Sequence, residues 1–135
     1  MPVEMNGIAH IQLNVNDAAR CLPFWERFCH FLSMTTLIKN ADTLYCIGSR
    51  TGILVRGASP EMRGVWFHQD RAGLHHFCFR ARSRDDVDAI YHFLLTELGA
   101  RIVHPPEDGP QFAPGYYSVL FEDPDGIRVE VNYVP

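Results

Sequence analysis

Apolar and polar residues alternate along two short stretches that resemble each other. One is Gly7-Ile-Ala-His10-Ile-Gln-Leu13-Asn-Val15; the other is Gly73-Leu-His75-His76-Phe-Cys-Phe79-Arg-Ala81. A period of two predicts a strand in each. A helical pattern follows both. Asn16 or Asp17 is a plausible N-cap for a helix over Ala18 to Phe31, and Ser83, with Asp86 three residues on, caps one over Val87 to Leu98. Gly99 then sits where a helix C-terminus favours glycine. Three strand-like runs come after each helix. They lie near Met34–Ile38, Thr43–Gly48 and Gly52–Gly57 in the first half, and near Arg101–His104, Tyr116–Glu122 and Gly126–Tyr133 in the second. Ser49-Arg50-Thr51-Gly52 and Asp123-Pro124-Asp125-Gly126 read as tight turns joining the last two runs of each half.

The chain is therefore expected to be one α+β domain built from two tandem β-α-β-β-β modules. Module one spans about 6–57, a connector about 58–72, and module two about 73–134. Pro105 to Gly115, rich in proline, reads as a loop without regular structure.

Alternation also assigns faces. Ile11, Leu13 and Val15 share one face of the first strand, and His10, Gln12 and Asn14 share the other. Phe77 and Phe79 fall with His75 on the apolar face, opposite His76 and Cys78. Ile127, Val129 and Val131 oppose Arg128, Glu130 and Asn132. The helices must cover the apolar faces, which leaves His10, His76 and Glu130 on the polar, concave side. Each alone reads as a structural or solvated residue. Together, two imidazoles and a carboxylate make a donor set for Fe, Mn, Ni, Co or Zn with positions left open. Tyr116 and Ser118 take the concave phase as hydrogen-bond donors, while Tyr117, Val119 and Phe121 take the core phase. Cys46 and Cys78 are also placed on the concave side. His75 is expected to point toward the helix layer; His68 and His104 could border the cavity, and His30 and His92 read as surface or packing residues. The aromatic stripe Phe24, Trp25, Phe28 and Phe31 reads as core or subunit contact.

Composition narrows the classes. The chain has 135 residues, 47% hydrophobic and 21% charged, which excludes disorder. Net charge is −4 and Lys39 is the sole lysine, which argues against a nucleic-acid face or a basic membrane patch. No stretch approaches a membrane span and no signal pattern opens the chain, so a cytoplasmic location is expected. Cys21, Cys29, Cys46 and Cys78 lack metal-finger spacing and read as reduced thiols.

The sequence resembles the vicinal oxygen chelate superfamily, the fold of glyoxalases, bleomycin-resistance proteins and extradiol dioxygenases. Gly7-Ile-Ala-His10-Ile, Phe24-Trp25, Gly73-Leu-His-His76-Phe and Pro114-Gly-Tyr-Tyr-Ser-Val-Leu-Phe-Glu-Asp-Pro-Asp-Gly-Ile-Arg-Val-Glu130 carry the likeness. It implies a cup-shaped, glyoxalase-like mixed sheet with helices on the outer face. It also implies a divalent metal on His10, His76 and Glu130. Aligning Thr51-Gly-Ile-Leu-Val-Arg56 on Asp125-Gly-Ile-Arg-Val-Glu130 puts Arg56 at the fourth ligand place, where arginine cannot ligate. Glyoxalase I enzymes commonly have a carboxylate there, so the resemblance points away from lactoylglutathione lyase activity. The expected activity is that of a metal-dependent lyase, isomerase or ring-cleaving dioxygenase acting on a small molecule with vicinal oxygens. Glu130, Arg56 and Tyr116 are its catalytic candidates, and Arg56, Ser118 and Cys78 its substrate contacts. The alternative is a metal-free drug- or metabolite-binding protein of the bleomycin-resistance type. A homodimer is implied by resemblance.

Overall fold

The alternating pattern of the first half forms β1 (His10–Val15), and the helical pattern forms α1 (Ala18–Phe31). Next come β2 (Thr35–Lys39), β3 (Thr43–Gly48) and β4 (Thr51–Gly57). The second half repeats the order with β5 (Phe77–Arg80), α2 (Arg84–Thr96), β6 (Arg101–Asp108), β7 (Tyr117–Glu122) and β8 (Arg128–Tyr133). The structure is a computed structural model that describes residues 1–135. It divides into two units, Met1–Gly64 and Val65–Pro135. Neither helix is long and apolar enough to cross a membrane.

Each unit holds a four-stranded mixed sheet of the same topology, ordered β1-β4-β3-β2 and β5-β8-β7-β6. In both, the first strand lies parallel to the last, and the remaining pairs are antiparallel. The parallel pairing follows from the helix. A strand–helix crossover returns the chain in the same direction, whereas tight turns reverse it.

Each helix begins where the sequence offers a cap. Asp17 Oδ1 accepts from the Arg20 amide at 3.2 Å, and Ser83 Oγ accepts from the Asp86 amide at 3.0 Å; each such cap contributes about 1 kcal/mol. Gly99 adopts φ +56° after α2, the left-handed conformation that ends helices cheaply.

In the first unit α1 packs on its sheet through Cys21, Trp25, Phe28 and Cys29, all fully buried, against Leu44, Ile53 and Val55. Trp25 and Phe28 meet edge to face at 5.9 Å. Phe31, by contrast, stays exposed. In the second unit Val87, Ile90 and Leu94 of α2 cover Val119, Phe121, Val129 and Val131.

The hairpins that join the last two strands of each unit differ in length. Ser49 and Arg50 form a two-residue hairpin between Gly48 and Thr51, both with positive φ (49° and 62°), as a turn matching the strand twist requires. The β7–β8 connection is longer. Asp123 Oδ1 accepts from the amides of Asp125 and Ile127, each at 2.9 Å, and Gly126 takes φ +85°.

Two sequence expectations are corrected here. The stretch after His104 is not irregular at its start, because β6 runs on through Pro105 and Pro106 to Asp108. It is an edge strand paired only with β7, and its register shifts on both sides of His104. An edge with bulges tolerates residues that have no amide to donate. Cys46 does not face the polar side either. It is fully buried, paired in register with Ile53, because β3 turns Leu44 and Cys46 to the helix and Tyr45 and Ile47 away from it.

Candidate functional site

The polar face of the second unit is built by β5, β8 and β7. Val129 and Val131 are buried, which sends Arg128, Glu130 and Asn132 to the opposite face. Cys78, Glu130, Leu120 and His104 form one cross-strand row on that face. His76 directly precedes β5, half-buried.

Glu130 is the hub. Its Oε1 lies 3.0 Å from Nε2 of His76, and its Oε2 accepts a hydrogen bond from the Tyr116 hydroxyl. Its side chain is only 13% exposed. Burial first, and then the bond it donates to Glu130, push the Tyr116 phenol up to about 12, so it remains a donor. The Tyr116 ring rests on Phe112 at 5.2 Å. Beside it, the Cys78 thiol donates to the Phe79 carbonyl at 3.4 Å. Desolvation of the thiol and then the charge of Glu130 push it up to about 12, which leaves Cys78 a poor nucleophile. Ser118 takes the expected phase next to Asn132 but is buried, 5% exposed. Tyr117 reaches the helix side, donating to Asp88 at 2.6 Å under the Arg84 guanidinium, 3.8 Å from its ring.

His75 departs from expectation. It is exposed, not in the core, and its Nδ1 lies 2.7 Å from Nδ1 of His76. The strand alternation begins only at Phe77 and does not extend back to His75.

The polar face of the first unit carries His10, Gln12 and Asn14, all on the open side or its margin, while Leu13 and Val15 are buried. Tyr45 stands next to His10, ring edge to ring face at 6.5 Å. Gly52, paired in register with His10, makes room for it: a Cβ there would meet the Tyr45 hydroxyl at 2.6 Å. Tyr45, Thr35, Ile47, Arg50 and Thr51 line a groove of about 490 Å³ in this unit. Tyr45 carries no signal in its own strand pattern; the mark is Gly52, a glycine inside a strand, which signals close approach by a neighbour.

The registers also correct the alignment of Arg56. His10 and His76 stand at the same interval before their helix caps, Asp17 and Ser83. By the same offset Gln12 corresponds to Cys78. Gln12 pairs with Leu54 and Cys78 with Glu130, so the counterpart of Glu130 is Leu54. Arg56 pairs with Asn14 and corresponds to Asn132. Aligning the two turn glycines shifts the match by two positions because the hairpin loops differ in length. Arg56 is exposed on the same face, one side-chain place further along. Neither leucine nor arginine ligates a metal.

The remaining histidines have local partners. His68 Nδ1 accepts from the Asp70 amide at 3.1 Å, His30 Nε2 lies 2.8 Å from the Thr36 hydroxyl, and His104 Nδ1 lies 3.5 Å from Glu107. His92 tilts against Tyr91.

No cluster of three or more His, Cys, Asp and Glu donors is formed by the side chains as they stand. The pair His76–Glu130 brings together two of the donor types that divalent cations take, at 3.0 Å, an ordinary N–H···O hydrogen-bond distance.

Residues 7–131 match the Glyoxalase/Bleomycin resistance protein/Dioxygenase superfamily. The uncharacterised protein YqjT of Bacillus subtilis (strain 168) is 32% identical over 124 residues, covering 90% of this chain and 94% of that protein. A glyoxalase-like chain from Bacillus halodurans superposes with a TM-score of 0.81 at 27% identity, covering 96% of each chain. Lactoylglutathione lyase from Agrobacterium tumefaciens shares the fold, with a TM-score of 0.69 at 21% identity over 96% of this chain and 94% of its own. The chain belongs to the Glyoxalase/Bleomycin resistance protein/Dioxygenase superfamily.

Proposed function

We propose that this protein is a divalent-metal-dependent enzyme acting on a small substrate with vicinal oxygens, a lyase, isomerase or dioxygenase of its superfamily. His76 and Glu130 would hold the metal; His10, the counterpart of His76 in the repeat, is a ligand by resemblance alone. The observation that carries the reading is the 3.0 Å approach of His76 Nε2 to a Glu130 carboxylate fixed on its other oxygen by Tyr116. When bound, such a metal supplies Lewis-acid stabilisation of a developing oxyanion. Tyr116 keeps Glu130 oriented and remains protonated, as a donor of hydrogen bonds and not as a base. Cys78 stays a neutral thiol and borders the substrate without attacking it. Arg56, exposed on the polar face of its unit, is suited to pair with an anionic substrate group through its planar fork. A homodimer accompanies the reading, as in small members of the superfamily; sedimentation showing only a 15.4 kDa species would exclude it.

The test is a panel of catechols, thiol adducts of methylglyoxal and epoxides, assayed on protein loaded in turn with Fe, Mn, Ni, Co and Zn. Turnover of at least one class is expected, lost on chelation and lost in His76→Ala. Turnover that survives both treatments contradicts the reading. A chain that takes up no metal but binds a cationic aromatic drug would support the metal-free alternative.

A further inference from the structure

We propose that the groove of the first unit is a binding site for a small organic monoanion, a carboxylate on a flat apolar body, with the guanidinium of Arg50 on the carboxylate and the body against Tyr45 and Ile47. The site goes beyond the functional reading above, because it uses none of the residues assigned to the metal.

β3 supplies the apolar wall. Leu44 and Cys46 are buried on the side of α1, so Tyr45 and Ile47 stand on the opposite face, roughly 7 Å apart along the strand. Ile47 is 38% exposed, a branched apolar side chain left open to solvent. Gly52 gives the Tyr45 ring room to lie over β4. The groove these side chains border, about 490 Å³, falls within the about 300–1,000 Å³ typical of small-molecule sites.

The charge comes from the β3–β4 hairpin. Arg50 is the one ionic residue lining the groove, which holds no Asp, Glu, Lys or His. No carboxylate of the chain pairs with its guanidinium. Arg50 also sits at φ +62°, the second place of a two-residue turn, where glycine costs least. A side chain there costs free energy, so the hairpin carries a long cation at a place that turn geometry alone would give to glycine. Beside it, the Thr51 hydroxyl makes only a long 3.5 Å contact to the Ser49 carbonyl and is free to turn to a ligand. A single cation matches a single negative charge. The planar fork of arginine takes a carboxylate through two parallel N–H···O bonds, whereas a phosphate dianion would keep one charge unmatched.

The experiment uses the full chain, titrated with benzoate and followed by ¹H–¹⁵N NMR. Saturable shifts of the Ile47, Arg50 and Thr51 amides are expected. Arg50→Gly keeps the hairpin, since glycine suits that φ, and should weaken benzoate about 10-fold or more, as the loss of bonds to a charged group implies. Benzamide, the same body without the charge, should bind the wild type as weakly as benzoate binds the variant. Acetate, which lacks the body, should bind more weakly than benzoate, and phenyl phosphate no more tightly. His76→Ala should bind benzoate as the wild type does. Benzoate that binds Arg50→Gly as tightly as wild type overturns the proposal, as does the absence of saturable shifts in the three amides. Binding lost in His76→Ala and kept in Arg50→Gly also overturns it, since the carboxylate would then be a ligand of a bound metal. Benzamide or acetate that matches benzoate, or phenyl phosphate that binds more tightly, contradicts the assigned ligand class.

Discussion

Tyr116 and Glu130 are joined by a hydrogen bond from the phenol to one carboxylate oxygen, leaving the other oxygen to face His76. The two residues come from a loop end and from the middle of β8. Phe112 backs the tyrosine ring.

Tyr116→Phe should keep the ring packing and remove the donor. The largely buried carboxylate then loses one partner, at a cost of about 1.5–3 kcal/mol for a bond to a charged group, read by denaturant titration. Metal affinity should fall about 10-fold, since an unfixed carboxylate binds less well. Unchanged affinity would show that Tyr116 only packs.

Gly52→Ala should displace Tyr45. The new methyl meets the far end of the Tyr45 ring, which can swing away, so the expected stability loss is modest, about 1–2 kcal/mol. The loss should be smaller when Tyr45→Ala is already present. Full additivity in that double-mutant cycle would mean that the ring does not lie over Gly52.

Glu26 ties α1 to β2. Lys39 Nζ donates to it at 2.8 Å and Thr36 Oγ1 at 3.2 Å. The bond from Lys39, ahead of the opposing effect of burial, holds its carboxyl below the ordinary carboxylate range. A carboxyl whose folded pKa lies below its unfolded value stabilises fully above the unfolded value. That contribution fades as pH falls through the folded value. Lys39 is largely exposed, so the gain is about 0.5 kcal/mol. Thermal unfolding of Glu26→Gln should therefore lie below wild type near neutrality, and the gap should close in acid. A gap that is constant with pH would contradict the assignment.

Isomerisation of the glutathione hemithioacetal of methylglyoxal should be absent or poor. The resemblance assigns four protein ligands to glyoxalase I enzymes, and the fourth place is held here by Leu54. Lactoylglutathione formation at enzyme-like rates would overturn this.

Much of this arrangement was legible in the chain itself. Period-two alternation placed Leu13 and Val15 inward and His10 outward, and the caps Asp17 and Ser83 marked where both helices begin. The departures share a cause, which is that periodicity gives a phase only inside an element whose limits are known. Alternation gives His75 the phase of β5, but His75 lies before that strand. Cys46 depends on the phase of β3, which is set by how Leu44 packs under α1 and not by polarity, since a cysteine suits either face. Matching Arg56 through a turn glycine assumes loops of equal length, and the β3–β4 hairpin is shorter than the β7–β8 connection. The prolines of β6 concealed an edge strand because they silence its amides without preventing pairing from its other groups.

The central claim is that a divalent metal is held by His76 and Glu130. Its most direct test is metal content by mass spectrometry of wild type, His76→Ala and Glu130→Gln, each purified without added metal. Near-stoichiometric Fe, Mn, Ni, Co or Zn in the wild type, and most of it lost in every variant, is the predicted result. Variants that carry as much metal as the wild type would contradict it.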